Sequence, residues 1–317
     1  MTSFFWENKR ALVTGATGFL GSNLVPLLRD KNIELFTPSH RQYDLMEQTQ
    51  VRRMFAHIKP DIVFDCAGLV GGIVANKKRP AEFFYNNLIM SSMIMHEACL
   101  SGVGKFIACM CGCSYPANAS SPIAENDLWT GYPQPESAPY ALANAMTLVQ
   151  SQAYRAQYKF NSIVLLPGNM YGPHDNFSFE DSHVIPGLIR KFYDAKRQGL
   201  SEVVVWGSGK PTRDCVYVKD VTRALVYAAE YYDSPEIVNI SSGAEVSIKE
   251  LVEIVARLMD FKGKITWDHT KPDGQMRKVF DVTRMKEVLN LSCDVSLEDG
   301  LKETIDWFEI NYDHARH

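Results

Sequence analysis

A chain of 317 residues is long enough for one large or two intimate domains with an ample core, and a net charge of −4 offers no basic face for nucleic acid or a membrane surface. Its apolar runs all fall short of a membrane span, and the opening MTSFFWENKRALV has a late, charge-interrupted apolar run unlike a secretory signal. Seven cysteines, an odd number without such a signal, point to reduced thiols and a cytoplasmic protein. In chain order, KRALVTGATGFLGSNLVPLLRDKN predicts strand, glycine turn and helix, IELFTP a second strand, TQVRRMFAHIKP a helix and DIVFDCAG a third strand. AEFFYNNLIMSSMIMHEACLSG spaces its apolar residues helically over about five turns, opened by Arg79 and Pro80. KFIACMC predicts a fourth strand, a long helix starts near Ala138, and NSIVLLPGNMYG reads as a further strand ending in a turn. Strands alternating with helices predict an α/β fold with a parallel, doubly wound sheet. After about residue 172 short strands (EVVVWGSG, EIVNISSG, KITWD) and helices interleave with polar loops. This predicts a first domain over 1–172 and a smaller mixed α/β lobe over 173–317, some chain crossing back, with one cleft between them.

Gly15, Gly18 and Gly21 form G-x-x-G-x-x-G between a strand and a helix. Such glycines let the backbone turn tightly and approach a pyrophosphate seated on the helix N-terminus, so a Rossmann dinucleotide site is expected at Gly15, Thr17, Gly18, Phe19 and Leu20. A site for NAD places an acid at the end of the second strand; here FTPSHRQ has none. Ser39, His40 and Arg41 could instead hold a 2′-phosphate, so NADP(H) is the expected cofactor; the plainer reading of Arg41 is a solvated charge. Cys109, Cys111 and Cys113 are not expected to hold a metal. Alternate residues of an extended segment stand nearly 7 Å apart, and no fourth ligand is evident.

GATGFLGS, VGGIVAN, CSYP, PYALAN, NMYGPHDNF, DSHVIPGLIRKF, VVVWGSGKPTRD and KPDGQMRK follow one another between residues 12 and about 285. With these stretches the chain resembles the extended short-chain dehydrogenase/reductase family, and within it the GDP-4-keto-6-deoxymannose 3,5-epimerase/4-reductases. The resemblance implies an NADPH-binding domain, a nucleotide-sugar-binding lobe, a GDP-linked substrate in the cleft and a homodimer. The helix after Pro80 and the helix carrying Tyr140 could form the dimer's four-helix contact. It also implies that Tyr140 is the catalytic tyrosine, that Cys113 and His183 are the epimerase pair, and that Cys111 and Asn144 stand where the family has serine and lysine. Tyr140, Asn144 and His183 would also border the cofactor, and Asn169, Lys191, Trp206, Arg213 and Lys278 the substrate.

A 4-keto sugar has acidified hydrogens at C3 and C5, and inverting such a centre needs a base on one face and an acid on the other. A thiol and an imidazole can both exchange protons near neutral pH. The bland reading of Cys113 and His183 is a small buried cysteine and a hydrogen-bonded loop histidine; the flanking motifs favour chemistry. Tyr140 would hydrogen-bond O4. A lysine about 5 Å from its phenolate, at an effective dielectric of about 20, would contribute roughly 3 kcal/mol, on the order of a hundredfold in rate. Asn144 carries no such charge and Cys111 is a weaker donor than serine. The expected function is therefore a 3,5-epimerase/4-reductase with a weak reductase half. The alternatives are an epimerase alone, acting on a deoxyhexose or heptose, and a non-catalytic NADP-binding regulatory protein.

Overall fold

The computed structural model describes residues 4–271 and 273–316. Its strands are β1 (Lys9–Thr14), β2 (Ile33–Phe36), β3 (Ile62–Asp65), β4 (Lys105–Cys109), β5 (Ser162–Pro167), β6 (Asn169–Tyr171), β7 (Glu202–Trp206), β8 (Thr212–Tyr217), β9 (Val238–Ile240), β10 (Glu245–Ser247), β11 (Lys264–Asp268) and β12 (Arg277–Lys278). Its helices are α1 (Phe19–Arg29), α2 (Gln48–Ile58), α3 (Ile73–Lys78), α4 (Pro80–Leu100), α5 (Ala138–Tyr158), α6 (Val184–Arg197), α7 (Val218–Tyr231), α8 (Ile248–Leu258), α9 (Thr283–Leu289) and α10 (Leu297–Asn311).

Six parallel strands form the main sheet in the order β2-β1-β3-β4-β5-β9. Successive side chains of a strand face opposite ways, and the apolar residues divide accordingly. Val13, Phe64, Ile107 and Leu165 join a cluster with α1, α6 and α7. Leu12, Val63, Ala108 and Leu166 join a second cluster with α2, α4 and α5. A sheet covered on both faces has strands that are buried throughout and mostly apolar, as β3 and β5 are. The doubly wound sheet expected from the sequence is thus present.

The second half of the chain departs from a simple lobe. β9 supplies the sixth strand of the main sheet. The first cluster runs on without a break into Val203, Val205, Val216 and Leu251. β10, β8 and β12 form a small sheet, which β6 joins alongside β8, and β11 pairs with β7. NSIVLLPGNMYG is therefore two strands in two sheets. The break is Gly168, where a Cβ would lie 2.2 Å from Ser241 Oγ. Order reversal in an open sheet leaves a crevice at the strands' carboxyl ends. Here it falls between β1, whose neighbour β2 lies on one side, and β3 on the other.

Candidate active site

The turn after β1 follows from steric necessity. Gly15 has φ +62°, and a Cβ there would lie 2.6 Å from the Cys66 carbonyl oxygen. A Cβ on Gly21 would lie 2.3 Å from Gly15 O. Gly18 N–H donates to Gly15 O at 2.9 Å, and Gly18 caps α1 without a side chain, leaving the helix's first amides for a ligand. Thr17 is exposed at the tip, while Phe19 and Leu20 open the helix and Leu20 is buried. The turn is tied to β3 by Thr14, whose hydroxyl donates to Asp65 Oδ1 at 2.6 Å and accepts the Cys66 and Ala67 N–H groups at 3.2 Å. Burial pushes the Asp65 carboxyl up to about 6. After β2, Ser39 is tied to Gln42, and His40, 80% exposed, stands 3.9 Å from Asp44. Arg41 is exposed and makes no ion pair among the described residues. β2 ends at Phe36 with no acid, so this edge is free to meet an anion.

After β4 the backbone makes a single turn of 3-10 helix over Gly112–Ser114, with Cys111 extended before it. Ser114 Oγ donates to Ala141 O at 2.9 Å, which locks the turn onto the start of α5. Cys111 and Cys113 therefore pack with Tyr140, Phe83 and Ala75 in one small cluster. The Tyr140 ring meets Phe83 edge-on at 5.9 Å. Burial, then the neighbouring Cys111 and Cys113, push the Tyr140 phenol well above its usual range. Asn144, one turn along, donates to the Tyr140 backbone carbonyl at 2.9 Å. Its amide thus serves its own helix, as amides at this spacing do, and toward the phenol it offers an uncharged hydrogen bond, which partly offsets the upward shift, in place of a cation. Cys109 ends β4 beside Cys66 and Asp65, apart from the other two thiols in the turn.

His183 is the exposed residue before α6. Its loop is fastened across Gly72, whose N–H donates to Asp181 O at 2.8 Å and whose Cβ would lie 2.7 Å from Ser182 O. Arg79 reaches Asp181 at 3.4 Å and Lys78 reaches Glu180 at 2.6 Å. VGGIVAN thus acts as a seat for the histidine loop, with that glycine as the N-cap of α3. His183 is close enough for its charge to act on Cys113 and on Asp175. Asp175 is buried, its Oδ2 finds no hydrogen-bond partner among the described residues, and burial pushes its carboxyl up to about 6.

The remaining candidates fall into two groups. Lys191 Nζ donates to Val204 O at 2.8 Å and stands 5.8 Å from the Trp206 ring, which is 58% exposed. Lys271 reaches the same ring from the other segment at 5.4 Å. Arg213 on β8 is paired in register with Lys278 on β12, and its guanidinium donates to Thr212 O and Gln275 O at 2.7 Å. Asn169 on β6 donates to Asp214 O at 2.9 Å.

Residues 11–241 match the NAD dependent epimerase/dehydratase family. The chain belongs to that family. It is 40% identical to GDP-L-fucose synthase 1 of Arabidopsis thaliana over 306 residues, 96% of this chain and 94% of that one. A crystal structure of a GDP-L-fucose synthetase from Naegleria fowleri bound to NADP superposes with a TM-score of 0.90 at 28% identity, covering 98% of this chain and 97% of that chain. A GDP-6-OMe-4-keto-L-xylo-heptose reductase from C. jejuni gives 0.89 at 26%, covering 96% and 98%. The resemblance read from the motifs is thus borne out. Sequence reasoning missed three features of the candidate site: Lys271 on Trp206, Asp175 near His183, and the Thr14–Asp65 tie. Asp175 lies inside the quoted NMYGPHDNF, but only its burial singles it out. The other two need the folded contacts.

Proposed function

We propose that this chain is a GDP-4-keto-sugar 3,5-epimerase/4-reductase of the GDP-L-fucose synthase type, using NADP(H), in which epimerisation outruns reduction. The observation that carries the reading is the locked turn that sets Cys113 against Tyr140 while the Gly72 seat holds His183 within electrostatic reach of the same thiol. Cys113 removes a proton from C3 or C5, and His183 delivers one to the opposite face. Tyr140, kept phenolic by burial, donates a hydrogen bond to O4 as the enolate forms. The chemistry that NADPH would supply here, when bound, is a hydride for C4. The proton that reduction also requires comes from a phenol that has no lysine to stabilise the resulting tyrosinate.

The glycine turn, closed too tightly on its own backbone for a Cβ at Gly15 or Gly21, and its uncapped helix start fit a dinucleotide pyrophosphate. Ser39, His40 and Arg41 would meet the 2′-phosphate. Lys191, Lys271, Trp206 and Arg213 would take the nucleoside diphosphate, with Asn169 and Lys278 nearer the sugar. In this reading 1–172 carry the cofactor and 173–317 the nucleotide sugar, apart from the β9 crossing. Exposed Phe84, Tyr85 and Leu100 on α4 and Val149 and Tyr158 on α5 support a homodimer through these helices. No helix of the described residues is long and apolar enough to cross a membrane, and seven free thiols favour the cytoplasm. The likeness to a heptose reductase keeps a heptose open as the sugar.

The test is incubation with GDP-4-keto-6-deoxymannose, and with a GDP-4-keto-heptose, in deuterium oxide. Deuterium at C3 or C5 supports the reading. No exchange with either sugar, in protein that binds NADPH, overturns it.

A further inference from the structure

Residues 172–183 connect β6 to α6 without a regular element and end on His183. A connection of this kind holds an imidazole in place only where other segments fasten it. Two backbone contacts do so at Asp181, two residues before the histidine. Its N–H donates to Ser178 Oγ at 3.0 Å, and its carbonyl accepts from Gly72 N–H at 2.8 Å. The side chains around that point are charged. Arg79 Nη2 donates to Asp181 Oδ2 at 3.4 Å, and Lys78 Nζ donates to Glu180 Oε2 at 2.6 Å. Lys77 turns the other way and stands 3.6 Å from Glu136, two residues ahead of α5. Three consecutive cations, where α3 gives way to α4, therefore reach the two segments that carry His183 and Tyr140.

Arg79 is the centre of this arrangement. It is the last cap of α3 and the first cap of α4. Its guanidinium carbon lies 5.5 Å from the centroid of the Phe83 ring, within the range of a cation–π contact. Phe83 is fully buried, and its ring is the one that meets Tyr140 edge-on. One side chain thus reaches both the loop of His183 and the ring against which Tyr140 packs. Glu82, at 3.9 Å, is a further carboxylate beside the same guanidinium. The side chains that join the three cations to Glu136, Glu180 and Asp181 are between 35% and 72% exposed, and pairs so open to water contribute little to stability. What they set is register, and proton transfer depends on register steeply.

We propose that Lys77, Lys78 and Arg79 form a charge staple that sets the His183 loop in register with the Tyr140 helix, which makes them positioning residues for proton transfer to the sugar. This rests on the reading of His183 as the proton donor and of Tyr140 as the hydrogen-bond donor to O4. Arg79 is the principal member, because it meets the loop and the Phe83 ring together.

The test is a charge swap in the whole protein. Arg79→Glu turns a carboxylate toward Asp181 and Glu180, and kcat for deuterium uptake at C3 or C5 should fall about tenfold with little change in KM. Asp181→Arg should do the same. Arg79→Glu combined with Asp181→Arg restores the pair with its sign reversed and should recover most of the wild-type rate. Thermal melts should stay within a few degrees of the wild type throughout, whereas a pair that only stabilised the fold would move the melt and leave kcat alone. Amide hydrogen exchange over residues 176–183, read by mass spectrometry, should quicken in each single variant and slow again in the double one. Arg79→Gln, with an expected loss of about threefold, carries the test if Arg79→Glu does not fold. Rates and amide exchange unmoved by the single changes, or losses that the double change does not recover, overturn the proposal. Deuterium uptake absent from the wild type on any 4-keto sugar would sink the proposed function instead, and the loosening and recovery of the loop's amides would then decide the staple by itself.

Discussion

The turn after β1 and the turn after β4 close on the same carboxyl-terminal edge of the main sheet, and they tolerate change very differently. The first is defined by backbone shape. Gly15 and Gly21 fill spaces in which any Cβ would strike main-chain atoms within 3 Å, so no other residue can serve. The second is defined by side-chain chemistry on a backbone held by Ser114 and Gly112. There Cys111 and Asn144, at positions where the resemblance implies serine and lysine, leave the turn packed against Tyr140. Shape is all or none; electrostatics can be redistributed. A site can therefore keep its cofactor loop and its proton-transfer pair while the balance between two reactions moves.

The contrast can be broken at either end. The largest effect is expected from the proton-transfer pair. Cys113→Ser and His183→Asn should each lower deuterium incorporation by about 10²–10⁴-fold while leaving NADPH binding by calorimetry intact. Equal exchange in both variants would remove these residues from the chemistry. Next comes the glycine turn. Gly21→Ala puts a Cβ 2.3 Å from Gly15 O, and should cost about 1–3 kcal/mol in thermal or denaturant unfolding and most of the cofactor affinity. An unchanged melt would mean that the turn relaxes more easily than its contacts imply.

The buried tie beneath that turn gives a pH signature. Asp65 titrates near 6 in the folded chain against an ordinary 3.8. A raised acid favours folding while protonated, so its contribution is complete below about pH 4 and is lost as pH rises through about 6, to a total of about 3 kcal/mol. Asp65→Asn keeps an oxygen for the Thr14 hydroxyl and removes the charge. It should match the wild type near pH 4 and be more stable by about 1–3 kcal/mol near pH 8. Parallel melting curves across that range would argue against the burial assigned to this carboxyl. The smallest effect is at the sheet edge. Arg41→Ala should narrow the preference for NADPH over NADH by roughly tenfold, read by titration of both cofactors. Tighter NADH binding by the wild type would reverse the cofactor assignment.

What was legible in the sequence follows the same division. The glycine turn, the alternating strands and the long helices beginning at Pro80 and near Ala138 are local signals, and each lies where its pattern put it. The helix α3, which starts within VGGIVAN and ends at Lys78, was not read, since six residues with two preceding glycines carry no helical period. Nor was the split at Gly168, because the Ser241 contact that forces it comes from β9's far end. The proposed catalytic residues were named from their motifs. Their coupling was not, because the partners meet only through tertiary contacts. Phe280 brings Lys278 to Gly112, and Gly72 seats the loop of His183.

The central claim is that this site exchanges protons faster than it transfers hydride, because among the described residues no cation acts on the Tyr140 phenol. Asn144, which donates to the Tyr140 carbonyl and also acts on the phenol as an uncharged hydrogen-bond partner, supplies none. The direct measurement sets single-turnover NADPH oxidation against deuterium uptake from solvent, on the same 4-keto sugar, in wild type and in Asn144→Lys combined with Cys111→Ser. The account expects the wild type to take up deuterium well before NADPH is consumed. The double variant should speed NADPH oxidation by about one to two orders of magnitude, on the roughly 3 kcal/mol that a lysine there would contribute, with little change in exchange. Rapid NADPH oxidation by the wild type, unimproved by the added lysine, would contradict it.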